Sequence, residues 1–195
     1  MNCRQGKIKH IGLSEVTAKD IRRAAKVAKI VAVQTEYSPW ALEPETQGIL
    51  EACRENGIAL VAYSPLGRGF LTGQIRKPED VEGSRAMFPR FQPQNFQKNF
   101  EVVEELEKVA EKKGVKAGQL GLAWLTKQGY GATVLPIFGT RSIDRVKENL
   151  EALKVNVSEE EEKEIRKVVD AADGTYGARY PEMMEAWQLR DSPEE

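Results

Sequence analysis

The feature that most restricts the fold of this chain is a fourfold alternation of short apolar runs with amphipathic segments of helical spacing. The apolar runs span 8–14, 30–38, 58–64 and 133–138. They are almost continuously apolar, which is typical of strands that are buried in a parallel sheet. Repeated βα units of this kind predict four parallel strands joined by helical crossovers.

Capping residues and apolar spacing delimit the predicted helices. Thr17 is a suitable N-cap for the first helix, and Pro44 opens the second, where its missing N–H is tolerated. Cys53 lies on the apolar face of that second helix and is predicted to be a core residue. The helix after the fourth strand carries an apolar stripe, and a capping box at Ser158 and Glu161 predicts one further helix at the end. The stripe consists of Ile143, Val146, Leu150 and Leu153.

Two segments lack regular periodicity. The segment 65–97 is rich in Gly, Pro, Arg, Gln and Asn, and loops of this length are usually functional or disordered. The tail after Asp173 is rich in Gly, Pro and charge, and we expect it to be loosely held. Tyr180 and Trp187 in this tail either cover a ligand or pack on the exterior of the domain.

Two architectures fit this order of elements. One is a doubly wound open sheet, and the other is part of a (β/α)8 barrel, which needs eight strands and typically about 250 residues. The chain has 195 residues and four predicted strands. Periodicity alone does not decide between the two.

Composition excludes several classes of partner. The formal net charge of −1 gives no electrostatic reason to expect a nucleic acid or an anionic membrane. No apolar run approaches the roughly 20 residues that span a bilayer, and the opening MNCRQGKIKH does not resemble a signal peptide. Cys3 and Cys53 have no metal-type spacing, so we expect reduced thiols and a cytoplasmic location.

Few motifs for chemistry are present. The sequence has no G-x-G-x-x-G after a strand, no P-loop, no HExxH and no GxSxG. His10 is the only histidine, and its place at the start of a strand favours a structural role. Two segments after strands suggest a phosphate site, namely 64–69 and 139–142, the second of which opens a helix. Arg141 and Arg145 add positive charge there.

Four segments in register resemble the aldo-keto reductases: GKIKHIGLSE, VQTEYSPW, LVAYSPLGRGFLTG and PIFGTRSIDRVKENLEAL. The chain looks most like the branch with pyridoxal-reductase-like and auxin-induced-type members. The resemblance implies an α/β fold: the C-terminal half of a (β/α)8 TIM barrel, with four parallel strands and an extra C-terminal helix. It covers residues 6 to about 174, so we expect a barrel half at 1–174 and a tail at 175–195.

The resemblance also implies an NADP(H) site. Ser14 and Gln34 resemble the residues that hold the nicotinamide carboxamide, and Tyr63 resembles the aromatic residue that stacks on the nicotinamide. Glu15 stands where many family members have Asn. The loop along the pyrophosphate corresponds to Ser64, Leu66, Gly67 and Arg68.

The adenosine end corresponds to the fourth βα unit. The residues that resemble the pocket for the adenosine 2′-phosphate are Gly139, Thr140, Arg141 and Arg145, and those beside the adenine are Glu148 and Asn149. Two arginines near a 2′-phosphate favour NADP(H) over NAD(H), because guanidinium groups can bind a phosphate bidentately.

The implied activity is reduction of an aldehyde or ketone by hydride transfer from NADPH. In the family, an Asp, a Tyr, a Lys and a His in the first barrel half handle the proton. Tyr37, Tyr130, Tyr176 and Tyr180 do not match the catalytic Tyr. We therefore expect this chain to contain no catalytic residues and to be inactive alone.

Two alternatives remain open at this point. One is a non-catalytic NADP(H)-binding module that resembles the potassium-channel beta subunits, and the other is an interaction scaffold. A half barrel also exposes two strand edges, which a closed barrel does not have, so we expect self-association.

Overall fold

The computed structural model describes residues 5–129, 133–171, 176–187 and 189–193. Cys3, Tyr130 and the boundary at residue 174 lie outside the described residues, as does the side chain of Trp187. The strands are β1 Ile11–Ser14, β2 Ile30–Glu36, β3 Ala59–Tyr63 and β4 Val134–Ile137. The α-helices are α1 Ala18–Val27, α2 Glu43–Thr46, α3 Ile49–Glu55, α4 Pro93–Lys113, α5 Ala117–Lys127, α6 Ile143–Leu150 and α7 Glu159–Ala171.

The four strands form one parallel sheet in the order β1-β2-β3-β4. The predicted βα order is therefore confirmed, although β1 begins at Ile11 and not at Ile8. Two of the predicted caps are present as well. The Thr17 hydroxyl accepts a hydrogen bond from the backbone N–H of Asp20, and the Ser158–Glu161 capping box forms in both directions.

The helices cover one face of the sheet. Val33, Leu60 and Ala62 are buried on the covered face. Ser14 and Gln34 are exposed on the opposite face, together with Leu135 and Ile137. A doubly wound sheet has helices on both faces and a strand order that reverses at a switch point. The sequential order and the single covered face therefore exclude the open-sheet alternative.

The segment 65–97 is neither disordered nor a plain loop. It contains the short 3-10 helices Gly67–Thr72, Pro78–Asp80, Gly83–Met87 and Pro89–Phe91, and α4 already begins at Pro93. Its aromatic side chains belong to the core, because Phe70 stacks on Trp40 at 4.6 Å between ring centroids and meets the edges of Phe91 and Phe96 at 5.5 and 5.3 Å. The apolar residues of this segment show no regular spacing, because the segment packs on the core through individual aromatic side chains.

The expectation of a loosely held tail is wrong. Tyr180 is buried, and the backbone of Tyr176 exchanges two hydrogen bonds with the buried side chain of Asn99. Further along, the backbone N–H and the hydroxyl of Ser192 both donate to Asp20 at 2.8 Å. The tail thus runs from α4 to α1 and includes a 3-10 helix at Glu182–Trp187.

The predicted apolar stripe runs from α6 into a 3-10 helix at Glu151–Lys154 and lies outside the core. Ile143 is 75% exposed and Leu153 is 79% exposed, and Val146 and Leu150 are exposed as well. Cys53, in contrast, is a fully buried free thiol, as predicted, and its burial raises its pKa to about 11. His10 is exposed immediately before β1.

Candidate functional site

The residues predicted for the nicotinamide end lie together at the carboxyl ends of the first three strands. Ser14 is in register with Gln34, and two positions further along β2 Glu36 is in register with Tyr63. Tyr63 is in turn in register with Ile137, the last residue of β4. Because parallel strands share one carboxyl edge, the Arg141 segment that follows β4 lies at the same end of the strands as Tyr63.

Strained backbone also concentrates at this edge. Among the described residues, the non-glycine residues with positive φ are Glu15 at 51°, Ser64 at 49° and Arg68 at 57°. Glu15 follows β1 and donates its N–H to the Gln34 carbonyl at 2.9 Å, and Ser64 follows β3. Such conformations cost on the order of 1–3 kcal/mol each and cluster at ligand sites and active sites. Their position marks the carboxyl edge as a candidate site.

The turn after β3 is shaped by close packing. The Ser64 carbonyl accepts a hydrogen bond from the Gly67 N–H at 2.9 Å, and the Leu66 carbonyl accepts from Gly69 at 3.0 Å. Gly67 has φ of 57°, and a Cβ at this position would lie 3.0 Å from the Trp40 ring. Glycine is therefore required here by the backbone conformation and by the neighbouring indole.

A buried ion-pair network occupies the carboxyl ends of β2 and β3. The carboxylate of Glu36 is only 3% exposed and accepts hydrogen bonds from Arg68 at 3.0 Å and from Arg179 at 2.9 Å. Arg179 also donates to Glu15 at 3.0 Å and to the hydroxyl of Tyr63. The hydroxyls of Tyr63 and Tyr180 lie 2.9 Å apart. The loops after β1 and β3 and the tail thereby meet at the carboxyl ends of β2 and β3.

The network fixes the protonation of its members. Burial alone would raise the pKa of Glu36, but Arg68 and Arg179 outweigh it and hold the pKa below its usual range. Burial would likewise lower the pKa of Arg179, yet its bond to Glu15 and the charge of Glu36 raise that pKa above its ordinary value. Burial is the main cause that raises the pKa of Tyr63. At neutral pH the carboxylate of Glu36 is ionised and Tyr63 is a neutral phenol.

Sequence reasoning did not identify Glu36 or Arg179 as site residues, and it named Tyr180 only as a residue that either covers a ligand or packs on the exterior. Arg179 lies 143 residues from its partner Glu36, and no local pattern connects them. One signal was available: Glu36 is the charged residue of a strand that begins with four apolar residues, and a buried carboxylate requires a cationic partner. That signal predicts a cation without saying which one.

The segment predicted to bind a phosphate opens α6. Ser142 caps the helix by accepting from the Arg145 N–H at 3.4 Å, and the Ser142 N–H donates to the Thr140 hydroxyl at 3.1 Å. Gly139, Arg141 and Arg145 are exposed, and a Cβ on Gly139 would meet nothing within 4 Å. The helix N-terminus and its arginines thus face open space.

The chain segments that follow β3 and β4 contact each other. Arg145 donates to the side chain of Gln74 at 3.0 Å, and Gln74 lies on the segment that follows β3. Glu148 forms an ion pair with Lys116 and accepts a hydrogen bond at its carbonyl from Gln119, whereas Asn149 is buried. Of the two residues predicted for the adenine, Glu148 therefore already contacts α5 and its N-cap residue Lys116.

The described ranges contain no group of three or more His, Cys, Asp or Glu side chains that could hold a metal ion. Across the same ranges, no helix combines the length and apolar character needed to cross a membrane.

A family model described as the Aldo/keto reductase family matches residues 3–170. The chain belongs to the aldo/keto reductase family. The match extends from before β1 into α7 and thus includes all four strands. The resemblance found in the four sequence motifs is thereby confirmed.

Two relatives from this family are similar along nearly the whole chain. "Aldo-keto reductase yakc [NADP(+)]" of Schizosaccharomyces pombe is 51% identical over 180 residues, which is 90% of this chain and 52% of that protein. "Aldo-keto reductase str7" of Strobilurus tenacellus is 43% identical and covers 98% of this chain and 56% of its own length. The chain therefore spans about half the length of these relatives.

A solved aldo/keto reductase supports the architecture. The glycerol dehydrogenase of Gluconobacter oxydans matches with a TM-score of 0.74 and 25% identity over 88% of this chain and 52% of its own. Together with the sequential parallel sheet, this match confirms the predicted fold class, and the chain forms part of a (β/α)8 barrel.

Proposed function

We propose that this chain supplies the NADP(H)-binding half of an aldo-keto reductase. The observation that carries the proposal is the strand register, which brings Ser14, Gln34 and Tyr63 to the same carboxyl edge as the exposed arginines of α6. Open α/β sheets and barrels bind their ligands at this edge. The name of the fission-yeast relative, which includes NADP(+), agrees with the proposed cofactor.

The residues at this edge fit a phosphorylated dinucleotide. Ser14 and Gln34 offer exposed hydroxyl and amide groups that would hold the nicotinamide carboxamide, and Tyr63 would stack on the nicotinamide ring. The proposed pyrophosphate loop consists of Ser64, Leu66, Gly67 and Arg68. In this loop the charge of Arg68 is largely compensated by Glu36, so its contribution to phosphate binding is expected to be small.

The α6 side fits the phosphate of the adenosine ribose. Exposed Arg141 and Arg145 stand at a helix N-terminus, where backbone N–H groups and the helix dipole favour an anion. Gly139 and Thr140 complete this pocket in our proposal, and Glu148 and Asn149 border the adenine. The second phosphate of NADP(H) supplies the additional charge that selects it over NAD(H).

We further propose that the chain reduces no substrate alone. When bound, NADPH supplies a hydride for an aldehyde or ketone, and the reaction then needs a proton donor. Tyr37 and Tyr63 are poor donors, because burial raises the pKa of both and the Tyr37 hydroxyl is bonded to Glu45. General acid catalysis contributes about 10²–10⁴-fold, so a chain without a suitable donor should be nearly inert.

A titration of the 195-residue chain with NADPH, followed by tryptophan fluorescence, tests the binding proposal. We expect saturable quenching by NADPH and weaker binding of NADH. Replacing both Arg141 and Arg145 by Met should weaken NADPH binding by at least about tenfold and leave NADH binding unchanged, because charge-assisted bonds to the 2′-phosphate are lost. The control is Lys147→Met, which removes one charge from an exposed position of the same helix.

Three outcomes distinguish the candidate functions. NADPH binding without turnover of 4-nitrobenzaldehyde supports a binding half, or a non-catalytic module of the kind found in potassium-channel beta subunits. Turnover by the purified chain would contradict the proposed inactivity. Absence of binding by either nucleotide would remove the cofactor proposal and leave only an interaction scaffold.

We propose, in addition, that two copies of this chain associate through the open sides of the half barrel. β1 and β4 each pair with a single neighbour, so each offers an unpaired strand edge. Exposed apolar side chains lie on β4, on α1 and α6, which follow the two edge strands, or close to these elements in sequence. Two sets of four strands make the eight that close a barrel. These side chains are Ile8, Val27, Leu135, Ile137, Ile143, Leu150 and Leu153.

The proposal includes three further assignments: the division of the chain, its branch of the family and its location. We assign residues 1–174 to the barrel half and 175–195 to a tail. We place the chain in the pyridoxal-reductase-like and auxin-induced-type branch. We propose a cytoplasmic location, which agrees with the free thiol of Cys53.

A further inference from the structure

The tail residue Arg179 is enclosed at the carboxyl edge. Its side chain is only 10% exposed and donates to three acceptors on different strands or loops. These acceptors are Glu15 after β1, Glu36 on β2 and the hydroxyl of Tyr63 on β3. A guanidinium with this set of partners has no freedom to change rotamer without breaking a buried ion pair.

The hydroxyl of Tyr63 forms its described hydrogen bonds with residues of the tail. Arg179 donates to it, and the Tyr180 hydroxyl lies 2.9 Å away. Tyr180 is itself buried, 6.0 Å from the Phe88 ring between centroids, and the Arg179 guanidinium lies 5.0 Å from the Tyr180 ring. The end of the Tyr63 side chain is therefore fixed by groups that are themselves held in place.

The tail is anchored on both sides of Arg179. Before it, buried Asn99 on α4 bonds the N–H and the carbonyl of Tyr176 at 2.8 and 2.9 Å. After it, Asp20 on α1 accepts two hydrogen bonds from Ser192, and Arg23 donates to the Ser192 carbonyl at 3.3 Å. The anchoring residues lie on α4 and α1. Because the backbone is held on both sides of Arg179, the side chain of Arg179 is kept next to Tyr63.

We propose that Arg179 is a positioning residue that fixes the ring of Tyr63 for the nicotinamide end of the dinucleotide. This inference rests on the proposed function and extends it to a residue that no sequence motif selects. Without Arg179 the phenol of Tyr63 rotates about its side-chain bonds, and binding must then restrict that rotation. The adenosine end, which is bound by α6, does not depend on Arg179.

The test compares two ligands that differ by the nicotinamide half. NADPH and adenosine 2′,5′-bisphosphate are titrated against the wild-type chain, Arg179→Met and Arg179→Lys. Arg179→Met should weaken NADPH binding about tenfold and leave the bisphosphate unaffected, as expected for the loss of one charged hydrogen bond. Arg179→Lys should recover part of the loss, because an ammonium neutralises the carboxylates but cannot reach all three acceptors.

A second variant, Tyr63→Phe, tests the same role in case Arg179→Met does not fold. Tyr63→Phe keeps the ring and every charge and removes only the hydroxyl, and it should weaken NADPH binding in the same direction. Arg190→Met is the matched control, since Arg190 is an exposed arginine of the same tail. Thermal unfolding followed by circular dichroism identifies the variants that are folded.

The possible results separate this inference from the proposed function. If the wild-type chain binds both ligands and neither Arg179→Met nor Tyr63→Phe changes the affinity for NADPH, the positioning role of Arg179 is refuted and the proposed function stands. If Arg179→Met weakens both ligands equally, its role is merely structural and the inference is wrong. If the wild-type chain binds neither ligand, the proposed function fails and the inference fails with it.

Discussion

At the carboxyl ends of β2 and β3, the side chains of Glu36 and Arg179 are almost completely buried and paired, whereas at the start of α6 Arg141 and Arg145 are exposed. Both regions belong to the same proposed ligand site. The first is enclosed by the tail and by the segment after β3, and the second faces open space. The nicotinamide side is therefore organised before a ligand arrives, and the phosphate side offers charge at a solvent-exposed helix end.

The difference has an energetic consequence. A buried ion pair contributes little beyond its own desolvation cost, but removal of one partner leaves an unpaired buried charge and costs about 3–5 kcal/mol. An exposed pair is worth about 0–1 kcal/mol, because water and salt screen it. Substitutions on the enclosed side should therefore affect the free energy of unfolding, and those on the α6 side should affect binding alone.

The largest effect is expected for Glu36→Gln. The amide keeps the shape of the side chain but leaves Arg68 without its anionic partner and Arg179 with Glu15 alone. We expect the free energy of unfolding to fall by about 3 kcal/mol. Urea denaturation followed by circular dichroism measures this change.

The control for Glu36→Gln is the same change at Glu55. Glu55 forms an ion pair with Arg22 at 2.7 Å, but both side chains are largely exposed. We expect little change for Glu55→Gln. If both substitutions lowered the free energy of unfolding equally, the burial of Glu36 would not explain the effect of Glu36→Gln.

A smaller, pH-dependent effect should follow from the ionisation of Glu36. The pKa of Glu36 is lowered in the folded chain, so its carboxylate stabilises the fold above its unfolded pKa of about 4.3. This stabilisation is lost as the pH falls from that value toward the folded pKa. We expect the difference in stability between the wild-type chain and Glu36→Gln to shrink as the pH falls below about 5 toward the folded pKa.

Urea midpoints of both proteins across this pH range measure the difference. The two curves should converge at the acidic end, because the protonated carboxyl of Glu36 and the amide of Gln are both neutral. A gap that stays constant would mean that the ionisation of Glu36 does not contribute to stability.

The sequence was sufficient for the local part of this fold. Strand order, the Thr17 cap and the core position of Cys53 follow from apolar spacing and capping chemistry, which act over a few residues. The contact of Arg179 with Glu36 was not accessible, because it joins residues far apart in the chain through geometry that only the folded barrel provides. The candidate site divides in the same way: the sequence motifs predicted a set of cofactor-binding residues, and no motif indicated the residues that contact them.

The stripe of α6 illustrates a second limit. Helical spacing identified Ile143, Val146, Leu150 and Leu153 as one face, but spacing does not say which surface covers that face. In the structure no described element buries it, since Ile143 and Leu153 are each at least 75% exposed. A periodic pattern therefore predicts a contact without identifying the partner.

The smallest effect on folding is expected at this stripe, where the proposed self-association can be tested. Ile143→Gln combined with Leu153→Ser should change the free energy of unfolding by no more than about 0.5 kcal/mol, because both side chains are exposed in the isolated chain. The variant should instead shift the chain from dimer to monomer in size-exclusion chromatography with light scattering. Met183→Ser is the control, since Met183 is 82% exposed but belongs to the 3-10 helix of the tail and not to α6 or a strand. A wild-type chain that elutes as a monomer at every concentration would refute the proposed pairing of half barrels. A dimer that persists in the double variant would show that the interface lies on another surface.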